Sequence, residues 1–492
     1  MSLKNEQASQ TDEGQTSPPR HRPQTLKTAG VALAGLSAVF LFEMLDNSIL
    51  NVALPTIGRE FDASTTMLQW VTGAYSVVFG GLMLLFSAIA DRFGRRRVML
   101  VGLTLLALAS AATAFVTTPE QLIAVRTAMG IAAAMTTPGS IALAFRLFDD
   151  ESLRVRAITL ISTVGLVGLA VGPTVGGFIL AFAPWQVLLL INVPIAILAF
   201  IGIRIGVAKD LPEELHRDPL DIPGALLGTA TIVLALVAPT LFVDEGTGSR
   251  TPWAATAGAV TAAVLFVVRE RTARYPLLDL KLVALPLVSS GLAYKAASGL
   301  AIAGLSYMAT LQLQFAWGWS PALASIGMLP QVIVLLFSGR LVGPFLRKVG
   351  MNHAAWMSAS SVVLGLAVFA AGSRFGYVWI ALSLVLVAAG MRIVGVVAGT
   401  NVMTGLPENR TTIGAAMVDT SSQIATGIGI AVTGTILAAL FTGNMSSPAW
   451  TADQAATFQT GVTVSGFAIT AVAAALVLLG MVRARSSLST HS

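Results

Sequence analysis

The segment SAIADRFGRR, residues 87–96, separates two long apolar runs early in the chain, and GRLVGPFLRK, residues 339–348, separates two others much later. Both segments combine glycine with clustered cations, and the second is a degraded copy of the first. Each of them follows the second run in a series of six. The pair therefore indicates an internal repeat with two equivalent halves.

The apolar runs around these segments are near or above the roughly 20 residues that span a bilayer. Fourteen such runs lie at 29–52, 66–90, 97–117, 120–146, 155–183, 186–206, 222–243, 252–269, 287–314, 321–346, 352–373, 376–404, 411–442 and 456–483. Runs 7 and 8 are an insert between the halves. The sequence predicts an all-α polytopic membrane protein with a disordered cytoplasmic tail (1–27), a six-helix bundle (28–208), a linker with two inserted helices (209–275), a second six-helix bundle (276–485) and a cytoplasmic tail (486–492).

The composition excludes several other classes of protein. Only 11% of the 492 residues are charged, against about 25% in a soluble domain. The net charge of +6 comes from short clusters between apolar runs, which argues against a nucleic-acid partner. Cysteine is absent and the four histidines lie in polar stretches or at a loop edge, so we expect neither a metal nor another cofactor.

The loop cations predict the orientation in the membrane. With residues 1–27 in the cytoplasm, the loops on the opposite side contain only Arg59, Arg250 and Arg374, and all other loop lysines and arginines lie inside. This asymmetry follows the positive-inside rule. One missed span would invert every later loop and destroy the asymmetry, so the asymmetry supports the count of fourteen spans. We expect a monomer in a bacterial cytoplasmic (inner) membrane, with both termini cytoplasmic.

Three motifs resemble those of the major facilitator superfamily. ADRFGRRR, residues 90–97, is similar to the loop signature of that family, except that the family's leading glycine is Ser87 here. RTAMGIAA, residues 126–133 in run 4, resembles its intramembrane-arginine motif. GLAVGPTVGG, residues 168–177 in run 5, resembles its antiporter motif.

A fourth motif narrows the resemblance. LDNSILNVALP, residues 45–55 in run 1, together with Trp185 and Asn192-Val-Pro194 at run 6, is similar to the fourteen-span drug:proton antiporters of the superfamily. The resemblance covers nearly all of residues 29–483. It implies the major facilitator fold and alternating access.

Six ionisable residues lie deep in the predicted spans, where a charge costs roughly 2.5–3.5 kcal/mol. They are Glu43, Asp46, Arg126, Lys295, Arg392 and Asp419. At a rise of about 1.5 Å per residue, Asp46 and Arg126 both lie roughly 9 Å from the outer membrane surface, and Lys295 and Asp419 both lie roughly 12 Å from the inner one. The sequence thus predicts two charge clusters, one in each half.

The acidic residues are the candidate proton carriers. Glu43 and Asp46 are three residues apart on one helix face, and two neighbouring carboxylates disfavour double ionisation. We predict proton coupling at Asp46 and Glu43, together with Arg126 and Asp419. The alternative is that each cluster is a buried ion pair that only neutralises itself, and we predict such a pair between Arg392 and Asp419.

Polar side chains elsewhere in the spans are candidates for substrate binding. We predict this role for Asn47, Tyr294, Lys295, Gln312, Gln331 and Gln423. Such residues also serve as structural hydrogen bonds between helices, so both interpretations stay open at this stage.

Conformational roles are expected in the loop signature and the antiporter motif. A glycine in the loop can turn the chain with positive φ, and an aspartate there can pair with a cation. The predicted residues are Asp91, Arg92, Gly94, Arg95, Gly168, Gly172, Pro173, Gly176 and Arg392. The alternatives are that the loop only anchors the topology and that the glycines and the proline only serve helix packing and bending.

The function predicted from these features is proton-coupled export of hydrophobic or amphipathic drugs or antibiotics by alternating access. No phosphate-binding loop of the P-loop type occurs, so ATP is not expected as the energy source. A transporter of the same fold for one endogenous metabolite or antibiotic is the nearest alternative. A membrane-embedded enzyme or a sensor is remote, because the sequence has no nucleophile-elbow or zinc-protease motif and no sizeable soluble domain.

Overall fold

The computed structural model describes residues 25–489, except for 149, 211–214, 216–220, 277, 407–410, 442–444 and 446–449. Of the two predicted tails, residues 1–24 and 490–492 lie outside the described residues. The predicted tail over 486–492 starts within the last helix, which continues to Ser489.

The described chain consists of helices and their connections. They are α1 Gly30–Phe61, α2 Thr65–Phe93, α3 Arg95–Ala112, α4 Pro119–Arg146, α5 Glu151–Leu180, α6 Gln186–Leu190, α7 Asn192–Gly206, α8 Ile222–Glu245, α9 Arg250–Thr272, α10 Leu280–Ala284, α11 Pro286–Leu311, α12 Pro321–Gly327, α13 Leu329–Phe337, α14 Gly339–Val349, α15 Met351–Gly372, α16 Tyr377–Gly405, α17 Thr411–Leu440 and α18 Ala452–Ser489. Short 3-10 turns follow α3 and α15, and a π-helical turn, Gln312–Ala316, follows α11.

The predicted all-α membrane architecture is confirmed. Twelve helices of the described residues are long and apolar enough to cross a membrane, and the number rises to 14 when each of two bent helix pairs counts as one span. One bend of 50° lies within α2, and the other, of 63°, separates α13 from α14. The second bend lies at Ser338-Gly339, a residue pair that commonly accompanies a sharp kink.

Helix starts follow local sequence signals. The hydroxyl of Ser64 accepts a hydrogen bond from the backbone N–H of Met67, which caps α2. Thr118 caps α4 in the same way, and Pro119 occupies the first turn. Both arrangements satisfy or remove backbone donors that a helix start leaves free.

The internal repeat appears in the turns between the second and third spans of each half. Gly94 joins α2 to α3 with φ of 103°, and Gly350 joins α14 to α15 with φ of 82°. These two glycines occupy equivalent turns, so the structure aligns Gly94 with Gly350. The sequence alignment that pairs 87–96 with 339–348 places Gly94 opposite Leu346 and is therefore four residues out of register. Only glycine adopts such a backbone readily.

Helix packing repeats in the same order in both halves. In the first half α1 packs extensively against α5 and α7, and α3 packs against α4. In the second half α11 packs against α17 and α18, and α15 packs against α16. These pairs occupy equivalent places in the chain, as expected for a parallel repeat.

The two halves meet along α2 with α17 and along α5 with α12 and α13. We call the membrane surface at which α1 begins the termini face, and the surface at which α1 ends the far face. The contacts of α5 with α12 lie near the far face, and those of α2 with α17 extend from there to mid-membrane. The inserted helices α8 and α9 pack against each other, and α8 also contacts both α2 and α17.

Candidate functional site

A central cavity lies between the two halves and has a volume of about 110 Å³. Helices α1, α2, α4 and α5 line it from the first half, and α11, α13, α16 and α17 line it from the second. The predicted site residues along its wall are Asp46, Asn47, Arg126, Pro173, Lys295, Gln331 and Gln423. One water molecule needs roughly 10–15 Å³ of such cavity volume, so the cavity has room for several water molecules.

The deepest polar contact in this wall is an ion pair between Asp46 of α1 and Arg126 of α4. Nη1 of Arg126 lies 2.6 Å from Oδ2 of Asp46, and the side chains are 2% and 0% exposed. Asn192 of α7 donates to the other carboxylate oxygen at 2.9 Å. Arg126 also donates to the carbonyl oxygen of Val71 at 3.3 Å and lies 4.5 Å from the ring centre of Tyr75.

Asp46 and Arg126 were predicted to lie at the same depth in the membrane, and the structure places them in contact. The sequence did not indicate the other partners of this ion pair. Asn192 was noticed only as part of a motif, and Tyr75 was not singled out. A tyrosine in an otherwise apolar run was the available signal. Its ring lies under the guanidinium, where an aromatic face stabilises a cation.

Glu43 lies one helical turn before Asp46 and has different partners. Its Oε1 accepts a hydrogen bond of 3.0 Å from Nε2 of Gln423 in α17, which belongs to the other half. Its Oε2 is buried next to the hydroxyl of Thr137, and neither atom has another hydrogen-bond partner within the described part of the chain. Glu43 therefore lies at the junction of the halves.

The second predicted charge cluster has a different arrangement from the one expected. Asp419 and Lys295 interact electrostatically with each other and with Glu43. The described residues contain no ion pair between Arg392 and Asp419, so the predicted pair is wrong. Arg392 points to the kink between α13 and α14, where a Cβ placed on Gly339 would lie 2.5 Å from its Nη2.

Two predicted substrate residues lie outside the central cavity. Tyr294 packs inside the second half, where a Cβ placed on Gly480 would lie 2.9 Å from its ring. Gln312 donates a hydrogen bond of 3.1 Å to the side chain of Gln459, which joins α11 to α18. For Gln312 the arrangement matches the structural alternative.

The loop signature has its aspartate paired locally. Nε of Arg95 donates to Asp91 at 2.7 Å, one helical turn apart across the turn at Gly94. The guanidinium of Arg92 lies 5.8 Å from the ring centre of Phe93. These contacts all lie within the first half, at the termini face.

The antiporter motif packs tightly on α1. A Cβ on Gly168 would lie 2.9 Å from the carbonyl oxygen of Leu41, and one on Gly172 would overlap the hydroxyl of Ser48. Gly176 faces the same helix. The three glycines thus allow the backbones of α1 and α5 to approach closely, as small residues do in membrane helices.

A polar junction at the inserted helices was not predicted. Nε2 of Gln69 in α2 donates to the hydroxyl of Thr240 in α8 at 3.2 Å, to Thr435 in α17 at 3.3 Å and to the carbonyl oxygen of Ala431 at 3.3 Å. We call Gln69, Thr240 and Thr435 the three-helix junction. It joins both halves to the insert near the far face.

Residues 36–430 match the sequence profile of the Major Facilitator Superfamily. Among curated relatives, the cephamycin export protein of Amycolatopsis lactamdurans is 30% identical over 445 residues, which cover 87% of this chain and 88% of the relative. The methyl viologen resistance protein of Salmonella typhimurium is 28% identical, with 84% and 83% covered. The multidrug efflux pump of Mycolicibacterium smegmatis is 28% identical, with 87% and 85% covered.

Solved structures share the fold at low sequence identity. A bacterial homologue of the human lysosomal transporter Spinster, in an inward-facing and unoccupied conformation, matches with a TM-score of 0.65 at 15% identity and covers 94% of this chain and 98% of its own. A POT family transporter matches with the same TM-score at 14% identity, with 95% and 99% covered. The predicted family is confirmed: this chain is a multi-pass membrane protein, not an enzyme, and it belongs to the major facilitator superfamily.

Proposed function

We propose that this protein exports hydrophobic or amphipathic drugs or antibiotics in exchange for protons, by alternating access. The observation that carries the proposal is the ion pair of Asp46 and Arg126 in the wall of a cavity between two repeated halves. Relatives that are named for export of cephamycin, resistance to methyl viologen and multidrug efflux support the substrate class.

Asp46 is the first proton carrier in this scheme. When ionised, it is held by Arg126 and Asn192, which compensate its charge in a buried site. A proton on Asp46 removes the attraction and leaves Arg126 with neutral partners only. Because an uncompensated buried charge is costly, protonation favours a rearrangement in which the guanidinium reaches water or another acceptor. A substrate in the same cavity is well placed to bias that exchange.

Glu43 is the second carrier and connects protonation to the position of the halves. Its hydrogen bond from Gln423 crosses the junction between them. The hydroxyl of Thr137 beside Oε2 can donate to the ionised carboxylate and accept from the protonated acid, so it offers a partner in both protonation states. Asp419 and Lys295 of the second half add charges that change its environment when the halves move.

The remaining predicted roles belong to the same proposal. Asn47, Lys295, Gln331 and Gln423 contact substrate in the cavity, and the loop signature and antiporter motif bias the two access states. The protein functions as a monomer with units 28–208, 209–275 and 276–485. The protein lies in a bacterial inner membrane with both termini on the cytoplasmic side, so the far face is the extracellular one. Because α5 packs against α12 at the far face, the arrangement of the halves in this structure is closed to the outside.

The direct test is transport in proteoliposomes with an imposed pH gradient. Cephamycin, methyl viologen, puromycin and lincomycin form the test panel, because relatives of this chain are named for export of, or resistance to, these compounds. We expect accumulation driven by the gradient and abolished by a protonophore. Asp46→Asn should abolish the driven component, whereas Glu60→Gln, an exposed acid on the same helix, should retain it. Driven transport that survives in Asp46→Asn excludes Asp46 as the carrier.

The same panel tests a second candidate function, the export of one dedicated antibiotic. The 30% identical relative named for cephamycin export is the observation that favours it. Transport of a single compound from the panel supports a dedicated exporter. Transport of several structurally unrelated compounds supports a multidrug exporter.

A further inference from the structure

A second cavity lies inside the second half near the termini face. Its volume is about 170 Å³. Its polar and aromatic lining residues are Tyr294 from α11, Asn352, His353 and Trp356 from α15, Asn401 from α16 and Arg485 from α18. We call it the Tyr294 pocket. None of these residues lines the central cavity, so the proposed transport cycle assigns the pocket no role.

The charge of the pocket is of one sign. Arg485 contributes a permanent cation. The lining contains no aspartate or glutamate. Asn352 and His353 belong to the first turn of α15, a helix of 22 residues that begins at Met351. The free backbone N–H groups and the dipole of a helix start add to the attraction for an anion.

Two donors of the pocket, Tyr294 and Arg485, have no hydrogen-bond or ion-pair partner among the described residues, whereas the side-chain amide of Asn401 donates to the hydroxyl of Ser290 at 3.3 Å. Tyr294 is 2% exposed, its hydroxyl makes no hydrogen bond there, and it interacts electrostatically with Arg485. Arg485 has no ion pair in the same part of the chain. Arg483, two residues earlier, donates to the hydroxyl of Ser289 and to the carbonyl oxygen of Ala284. Its guanidinium is therefore held by protein acceptors, in contrast to that of Arg485.

Tyr294 and Arg485 line the same cavity, in which the side chain of Tyr294 is buried and that of Arg485 is exposed, and no carboxylate lines it. The Tyr294 hydroxyl faces the open space of the pocket without a hydrogen-bond partner among the described residues, and the guanidinium fork matches the oxygens of a phosphate. Asn352 and His353 supply further donors around the same space. A phosphate group has enough oxygens to accept from several of these groups at once and to pair with the two parallel N–H groups of a guanidinium, a geometry that a spherical chloride does not match.

We propose that the Tyr294 pocket binds a phosphate group, with Arg485, Tyr294 and the first turn of α15 as its donors. Two sources carry this chemistry, a phospholipid headgroup in the adjacent leaflet and free phosphate in solution. The pocket opens near a membrane surface, where Trp356 is 43% exposed, and tryptophan favours the headgroup region of a bilayer. The proposal does not depend on proton coupling or on the transported substrate.

Equilibrium binding to the full-length protein in a neutral detergent tests the proposal. The probes are ³²P-labelled inorganic phosphate, ³²P-labelled phosphatidylglycerol and radiolabelled diacylglycerol, which lacks the phosphate. We expect saturable binding of at least one phosphate-bearing probe. Binding of phosphatidylglycerol alone identifies a lipid headgroup as the source, and binding of inorganic phosphate identifies the free anion.

Variants locate the binding. Arg485→Gln should weaken it about tenfold or more, as expected for a lost charge-assisted contact. Tyr294→Phe, which keeps the ring, should weaken it severalfold and serves as the conservative variant if Arg485→Gln folds poorly. Arg271→Gln removes an exposed cation on α9 outside the pocket and should leave binding unchanged. The proposal is overturned if neither phosphate probe binds saturably, if diacylglycerol binds as well as phosphatidylglycerol, or if Arg271→Gln matches the losses in the pocket variants.

Discussion

The side-chain amide of Gln423 in the second half donates a 3.0 Å hydrogen bond to the carboxylate of Glu43 in the first half, and both side chains are buried. The bond crosses the boundary along which the halves separate in the proposed alternating-access cycle. A titratable group therefore takes part directly in the contact between them. The protonation state of Glu43 changes the strength of this contact, because hydrogen bonds to a charged acceptor are roughly twice as strong as neutral ones.

Glu43→Gln tests this coupling with little change of shape. The amide oxygen can still accept from Gln423, but the side chain no longer titrates. We expect transport driven by a pH gradient to fall roughly tenfold or more, an increase of at least about 1.4 kcal/mol in the barrier. Substrate counterflow without a gradient should persist. Gradient-driven transport at the wild-type rate would show that Glu43 is only a structural acceptor.

The ion pair of Asp46 and Arg126 should give strongly non-additive losses of stability. Asp46→Leu or Arg126→Met alone leaves one buried charge, a cost of about 3–5 kcal/mol. The double variant removes both charges and should recover most of the thermal stability without recovering proton-driven transport. A double-mutant cycle on melting temperatures in detergent measures the coupling. Additive losses would contradict the pair seen at 2.6 Å.

Depth along the membrane normal was the predictable part of the site. The constant rise of a helix places Asp46 and Arg126 at one level from the sequence alone, and the structure joins them. Rotation about each helix axis was not predictable, because one residue turns the side chain by about 100°. On α11, Lys295 faces the central cavity and its neighbour Tyr294 faces α18.

The same limit explains the failed pair in the second half. On α16 it is Met391 that lines the central cavity, and the next residue, Arg392, points to Gly339. The number and order of the spans were predictable, since length and hydropathy decide them. The register of the repeat was not, because it depends on where the chain turns, at Gly94 and Gly350.

The three-helix junction predicts a role for the inserted helix α8. Thr240→Val removes the hydroxyl that accepts from Gln69 but nearly preserves the shape. We expect a loss of about 1 kcal/mol, the usual net value of one hydrogen bond, read as a lower melting temperature. Thr231→Val on the same helix is the matched control, because among the described residues the hydroxyl of Thr231 bonds to its own helix, at the carbonyl oxygen of Leu227, and to no other element. Equal losses in the two variants would mean that α8 does not bridge the halves through Thr240.

The antiporter motif offers a test that separates gating from packing. Gly177 of α5 faces the other half, and a Cβ placed on it would overlap Ser325 and the carbonyl oxygen of Pro321 in α12. Gly168 faces α1 within its own half. Gly177→Ala should therefore destabilise the closed far face and shift the protein toward the state open there. Gly168→Ala should reduce stability without that shift.

Cysteine labelling reads this shift directly, because the chain has no native cysteine. Thr310→Cys places a thiol in the wall of the central cavity, at a position that is 2% exposed. An impermeant maleimide added outside intact cells should label it severalfold faster in Gly177→Ala. Gly395→Ala, where a Cβ meets nothing within 4 Å, is the neutral control. If labelling rises equally in Gly168→Ala, the motif acts through helix packing in general, and contact between α5 and α12 is not the gate.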